Sequence, residues 1–219
     1  QREDVQLIVG RAHLDGPERV IAETADGEQS ISADMILVAT GAHPRELPEA
    51  KSDGERILTW TQLYGLTELP KRLIVVGSGV TGAEFASAYN ALGCDVVLVS
   101  SRDRLLPSED ADAAEVLESV FTRRGITVLS RSRAQSVVRA SDQVIVTLTD
   151  GRTVDGSHCL LAVGSVPNTA GLGLEEAGVK LDQRGSIEVD RVSRTTARGV
   201  YAAGDCTGVL MLASVAAMQ

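Results

Sequence analysis

The sequence predicts an α/β protein: a parallel sheet flanked by helices, joined to a three-stranded β-meander, with pieces of a second unit of the same type. Three observations carry this. Leu73-Ile74-Val75-Val76 is a short apolar run rich in β-branched residues, as a strand buried on both faces requires. It runs straight into Gly77-Ser78-Gly79-Val80-Thr81-Gly82, then a segment without Gly or Pro over 83–92, a stop at Gly93 and a second strand over 95–100. Finally, a turn, a buried strand, a glycine and a proline occur in that order twice along the chain.

Strand, glycine turn, helix and strand within about thirty residues make the dinucleotide-binding βαβ unit of a Rossmann-like sheet. Gly77 permits the tight turn, Gly79 lets backbone approach a pyrophosphate, and Gly82 lets helix pack close to strand. The pyrophosphate sits against free N–H groups at the positive end of the helix dipole. A glycine pattern alone also fits a tight turn in some other α/β protein. The flanking elements at the required distances favour the nucleotide reading.

In chain order, residues 5–9 and 20–24 alternate as strands, the second closed by an Asp26-Gly27 turn. Residues 35–39 read as a short buried strand leading into Thr40-Gly41-Ala42-His43-Pro44. Residues 45–56 are a polar connector, 59–66 a short helix, and Pro70 ends that segment. After the βαβ unit, Asp110 can cap a helix with Val116, Leu117, Val120 and Phe121 on one face and Gly125 as its stop. Strands are expected over 126–129, 134–139 and 144–149, then an Asp150-Gly151 turn and a buried strand over 158–163. A last buried strand ends in Gly204-Asp205, and 212–219 open a helix. The passage from Val20 to Pro44 recurs from Val144 to Pro167, about 124 positions on, which suggests two copies of one domain type. The second copy begins at Leu73. The first is expected to have its own βαβ ahead of Gln1, and the chain, which starts at Gln and ends in an uncapped helical pattern, is expected to be a piece of a longer protein.

A net charge of −9 over 219 residues argues against nucleic acid or an anionic membrane surface as partner. No apolar run approaches the ~18 residues of a membrane span. Cys94, Cys159 and Cys206 form no CxxC pair, and His13, His43 and His158 stand at no metal-ligand spacing, so neither a disulfide framework nor a metal site is expected. Sparse cysteine suits a cytoplasmic location.

With these residues placed, the chain resembles the FAD-dependent pyridine nucleotide-disulfide oxidoreductase family, which includes lipoamide dehydrogenase and glutathione reductase. Four markers stand at family spacing: Ala39-Thr40-Gly41, the turn from Gly77 to Glu84, Val163-Gly164-Ser165-Val166-Pro167-Asn168-Thr169, and Tyr201-Ala202-Ala203-Gly204-Asp205. Within the family, the segments from Gly164 and Asp205 look most like the lipoamide-dehydrogenase-like NAD(P)H quinone reductases. The resemblance implies FAD and NAD(P)H as cofactors and a FAD/NAD(P)-binding fold. Residues 1–57 would be the end of the first half of the FAD-binding domain plus a connector, 58–165 the NAD(P)-binding domain, and 166–219 the return into the FAD-binding domain.

The resemblance also implies roles. Thr40, Gly41 and Ala42 would lie along FAD, Gly204 and Asp205 would hold its ribityl–phosphate region, and Met211, Leu212, Ala213 and Ser214 would present backbone N–H groups. Gly77, Ser78, Gly79, Thr81, Gly82, Val163 and Gly164 would hold the nicotinamide nucleotide, with Val80 where the nicotinamide meets the flavin. Glu84 would reach a lysine outside this chain and so act in catalysis; read alone, it is a solvated first-turn acid. Read alone, Gly204-Asp205 is a turn.

Two positions depart from the family. Ser100 stands 18 positions after Gly82, where NAD-specific relatives carry an acid for the ribose 2′-OH. With Ser101, Arg102 and Arg104 close by, NADPH is expected to serve at least as well as NADH; the arginines read equally as solvated loop charges. Ser165 replaces an arginine common in relatives, with no evident consequence. None of the three cysteines is the family's redox pair, which the resemblance puts before Gln1. The expected function is hydride transfer from NAD(P)H to flavin and on to a quinone or disulfide, in a parent that is a homodimer. Dihydrolipoamide dehydrogenase is the alternative within the class, and a non-catalytic dinucleotide-binding or sensor module the alternative outside it.

Overall fold

A computed structural model describes residues 5–219 and divides the chain into two compact units. One is Pro44–Ser165; the other joins the residues up to His43 with Val166–Gln219.

The Pro44–Ser165 unit is built on a five-stranded parallel sheet in the order Ile57–Thr59, His158–Leu161, Arg72–Val76, Asp95–Val99, Thr127–Leu129. The central strands read as unbroken apolar runs because both faces are covered. Leu73, Val75, Val96, Leu98 and Leu160 pack on one face against Ala83, Ala86 and Phe121 of the helices Val80–Ala91 and Ala111–Arg123. Ile74, Val76, Val97, Val99 and Leu161 pack on the other against Val137, Val144, Val146 and Leu148. Those four belong to an antiparallel meander of Ala134–Ala140, Gln143–Leu148 and Thr153–Gly156.

The first helix begins at Val80, inside the glycine run, and Gly93 follows its end at φ +97°. Asp110 caps the second, accepting from the Asp112 and Ala113 amides at 3.0 and 3.1 Å. Its buried stripe is Ala114, Leu117 and Phe121; Val116, expected on that face, is 64% exposed. A helix turns about 100° per residue, so Val116 falls to the side of a stripe that the i, i+3, i+7 set defines. The short helix is Trp60–Leu63, and the connector ahead of it ends in a strand, Ile57–Thr59, that the sequence reading did not resolve.

The other unit contains the earlier copy of the meander, Gly10–Leu14, Arg19–Thr24 and Gly27–Ser32, all antiparallel. Residues 5–9, expected as a strand, are not one: Val5, Leu7 and Val9 are exposed, and pairing starts at Gly10 opposite Thr24. Alternation makes a strand only where a partner chain is in register. Ile36–Val38 follows, paired in parallel with Val200–Ala202. It is buried on one face only, Ile36 and Val38 facing Leu174, Val179, Ile187 and Ala202 while Leu37 is 63% exposed. A single-turn 3₁₀ helix, Asp205–Thr207, and the short helix Ala213–Met218 close the chain. The order of meander strands and following parallel strand is the same in both units, in keeping with the repeat. Among the described residues no helix is long and apolar enough to cross a membrane.

Candidate functional site

The glycine turn sits at the carboxyl end of the central strand. Gly77 has φ +119°, its N–H donates to Val99 O at 2.9 Å, and a Cβ there would fall 2.1 Å from Ala162 O. A Cβ on Gly82 would fall 2.0 Å from Gly77 O, so the helix start is seated directly on the turn. At Gly79, by contrast, nothing lies within 4 Å of where a Cβ would be, and as N-cap it offers no side-chain acceptor. The first-turn amides of the helix, those of Val80 and Thr81 included, are the donors such an end leaves unmatched. Two of the glycines are therefore demanded by packing, and the third leaves open space in front of a helix N-terminus.

Beside the turn lies a cleft of about 210 Å³ lined by Gly77, Val99, Ser101, Ser132, Arg133 and Val163 among others. It lies over the carboxyl ends of the strands, from Val163 past Val76 to Val99 and the segment after Leu129, and so takes in the point where the strand order reverses. A larger cavity of about 520 Å³, lined by Arg56, Lys71, Arg139 and His158, lies at the opposite ends of the same strands. There charges of both signs mix (Glu55, Glu68 and Asp142 also line it), and no helix N-terminus faces it.

Ser100, which stands at the family's acid position, is fully buried. Its hydroxyl shares a 2.7 Å hydrogen bond with that of Ser78, also buried, and accepts the Arg102 N–H at 3.0 Å. It is a strut between the glycine turn and the loop after the second strand. Ser101 reaches the cleft. Arg102 is exposed and outside the cleft lining, and Arg104 donates to the Pro107 and Glu109 carbonyls at 3.4 and 3.5 Å. Arg133, which lines the cleft, was not singled out from the sequence. Ser132 N–H donates to Ser100 O and Arg131 N–H to Arg102 O, both at 2.7 Å, which brings that segment alongside the loop. Taking the residues after the third parallel strand as neighbours of those after the second would have found it. Gly164 has φ +106°. Glu84 is exposed on the helix and makes no hydrogen bond or ion pair among the described residues.

In the other unit, Thr40 and Gly41 are clamped to Asn168. Thr40 Oγ1 donates to Asn168 O at 2.6 Å, Asn168 Nδ2 to Thr40 O at 2.9 Å, and Asn168 N–H to Gly41 O at 2.9 Å. His43 Nδ1 lies 2.6 Å from Asn168 Oδ1. Ala42 is half-buried beside them. Gly204, at φ +79°, turns the chain off its strand into Asp205, whose half-buried carboxylate has no hydrogen-bond partner among the described residues. Cys206 is fully buried and donates to Ala203 O, a packing residue. Met211, Leu212, Ala213 and Ser214 are exposed at the start of the last helix, and Leu212, its N-cap, supplies no side-chain acceptor.

The sequence pattern described as pyridine nucleotide-disulphide oxidoreductase matches residues 1–219. The chain belongs to that family. An NAD(P)H dehydrogenase (quinone) of Mycobacterium tuberculosis is 59% identical over 222 residues, covering 98% of this chain and 45% of that protein. A dihydrolipoyl dehydrogenase of Zymomonas mobilis is 37% identical over 224 residues, 100% of this chain and 48% of that protein. The crystal structure of LpdA from Mycobacterium tuberculosis superposes with a TM-score of 0.90 at 58% identity, covering 98% of this chain and 48% of that one. The Cu(II) complex of the HOCl-induced flavoprotein disulfide reductase RclA from Escherichia coli does so at 0.89 and 27% identity, over 99% and 49%. This member of the pyridine nucleotide-disulphide oxidoreductases thus spans about half the length of the relatives it matches. Their α/β fold, with a parallel sheet and antiparallel meanders, is the fold described above.

Proposed function

We propose that this chain is the nucleotide-holding part of a flavoprotein that takes hydride from NAD(P)H onto FAD and passes electrons to a quinone. The observation that carries it is the turn: Gly77 and Gly82 leave no room for a methyl group, while Gly79 leaves room for a ligand. That is what close approach of a pyrophosphate to backbone amides needs. Val80, Thr81 and Gly82 would donate N–H bonds to it, and Val163 and Gly164 would border the nucleotide. The Asp205 carboxylate, without a protein partner, suits acceptance from the hydroxyls of a ribityl chain. The Thr40–Asn168 clamp holds Gly41 and Ala42 in place to lie along the same cofactor. Gly204 and the exposed amides from Met211 to Ser214 would complete that side. When bound, the flavin supplies the electron-accepting ring, and the protein's share is binding and orientation.

Among the described residues no Asp or Glu lines the nucleotide cleft, which supports use of NADPH at least as good as NADH. Glu84 is proposed to act through a partner residue outside the chain. Buried, unpaired Cys94, Cys159 and Cys206 suit a cytoplasmic protein, and homodimerisation of the parent follows the resemblance alone. A second reading, dihydrolipoyl dehydrogenase, is favoured by relatives at 36–37% identity. The test is turnover by the full-length parent, with its flavin absorbance recorded first. Reduction of a quinone by NADPH, with little on lipoamide, is expected. Lipoamide as the better substrate selects the second reading, and a colourless protein without turnover refutes both in favour of a non-catalytic binding module.

A further inference from the structure

Resting on the nucleotide reading of the cleft beside Gly77, we propose that Arg133 selects the cofactor by binding the 2′-phosphate of NADPH. In a βαβ unit the adenosine ribose lies where the second strand ends, here Val99. A site for an unmodified ribose needs an acceptor there for the 2′-OH. The cleft at that point offers none of the usual kind among the described residues: none of those lining it is acidic, and the Ser100 hydroxyl is buried against Ser78 and the Arg102 amide. The charged residue on its wall is Arg133.

Arg133 is exposed, and its guanidinium makes no hydrogen bond or ion pair with any described residue. Its backbone, however, is held. The Arg133 carbonyl accepts the Thr149 N–H at 2.9 Å, and the preceding residue's N–H donates to Ser100 O at 2.7 Å. The nearby arginines differ. Arg104 is spent on backbone carbonyls, Arg152 pairs with Asp150 at 2.7 Å, and Arg102 lies outside the cleft lining. A guanidinium on fixed backbone, with nothing to bind and a cleft in front, matches a phosphate dianion through two parallel N–H bonds. Ser101 lines the same cleft, and its hydroxyl can add a third.

The test is calorimetric titration of the whole chain with NADPH, NADH, adenosine 2′,5′-bisphosphate and AMP, in wild type, Arg133→Gln, Arg133→Lys and Arg102→Gln. Arg133→Gln is expected to weaken NADPH and the bisphosphate by about ten- to a hundredfold, the range of a charged hydrogen-bonded pair. NADH and AMP should change by less than about twofold, Arg133→Lys should restore part of the loss, and Arg102→Gln should change little. Equal weakening of NADH and NADPH by Arg133→Gln overturns the inference, since Arg133 is then merely structural. So does a loss confined to Arg102→Gln, which moves the phosphate to the other arginine. If wild type binds NADH but gains nothing from the 2′-phosphate, the inference fails while the nucleotide reading stands. If it binds none of the four ligands, the nucleotide reading falls and the inference with it.

Discussion

Two substitutions in the glycine turn separate packing from binding. An alanine methyl at Gly82 would begin 2.0 Å from Gly77 O and 2.9 Å from its carbonyl carbon. Real Cβ atoms essentially never come within about 3.0 Å of a neighbour, so backbone must move by about 1 Å. That atom is main chain directly after the buried residues Leu73–Val76, with the Gly77 N–H bonded to Val99 O and Val76 O bonded to the Ala162 N–H, and cannot swing away as a side chain can. Alanine gains about 1 kcal/mol over glycine in a helix. Overpacking of this kind costs about 1–3 kcal/mol or more, and the rigidity of the contact puts it at the upper end. Gly82→Ala should therefore be less stable by about 1–2 kcal/mol. Gly79→Ser meets no atom within 4 Å, and its φ of −71° is open to any residue. Serine is also the better N-cap, so stability should hold or rise by a few tenths of a kcal/mol. Its side chain would nevertheless occupy the space in front of the helix amides, and NADPH affinity should fall at least tenfold, about 1.4 kcal/mol. Urea unfolding and NADPH titration on the same samples check both. A Gly79→Ser chain that binds like wild type would show that no pyrophosphate approaches there, and a Gly82→Ala chain as stable as wild type would refute the seating of helix on turn.

Three further outcomes concern stability. The Asp53 carboxyl is pushed up by burial, but the Glu55, Ile57 and Arg56 amides and Arg139 outweigh this and hold it below the ordinary carboxylate value. Its folded pKa is the lower one, so its stabilisation is present above about pH 4 and is lost as pH falls through the folded pKa; Asp53→Asn should flatten the urea-midpoint curve on acidification below about pH 4. Burial first, then Arg56, lowers the His158 pKa against an opposing effect of Asp53, so the unfolded chain takes up that proton first as pH drops below about 6.5. Stability should therefore decline on acidification from pH 7 to 5, and His158→Gln should remove part of that slope. Asp110→Ala leaves the Asp112 and Ala113 amides without their acceptor and should cost about 1 kcal/mol by urea unfolding.

What could be read from the sequence is what neighbouring residues decide among themselves. The central strands were legible because burial on both faces writes a continuous apolar run, and the glycine turn because its requirements fall within six consecutive positions. Ile57–Thr59 was not, since three residues carry no period and its strand character comes from pairing with Cys159–Leu161, about a hundred positions away. Residues 5–9 show the converse, a local alternation with no partner to make it a strand. The site divides in the same way. Where a diphosphate would sit is a local matter, but what faces its ribose depends on which chain the sheet lays beside the second strand. Thr127–Leu129 pairs with Asp95–Val99, and two backbone hydrogen bonds extend that pairing past both strand ends, from Ser132 to Ser100 and from Arg131 to Arg102. The pairing buries the serine that stands at the family's acid position and delivers, thirty-three residues later, an arginine that nothing near Gly77 in the sequence announces. On the proposed role of Arg133, specificity at such a cleft is set by the third strand's exit as much as by the second's, and inspection of the position after Val99 alone would miss it.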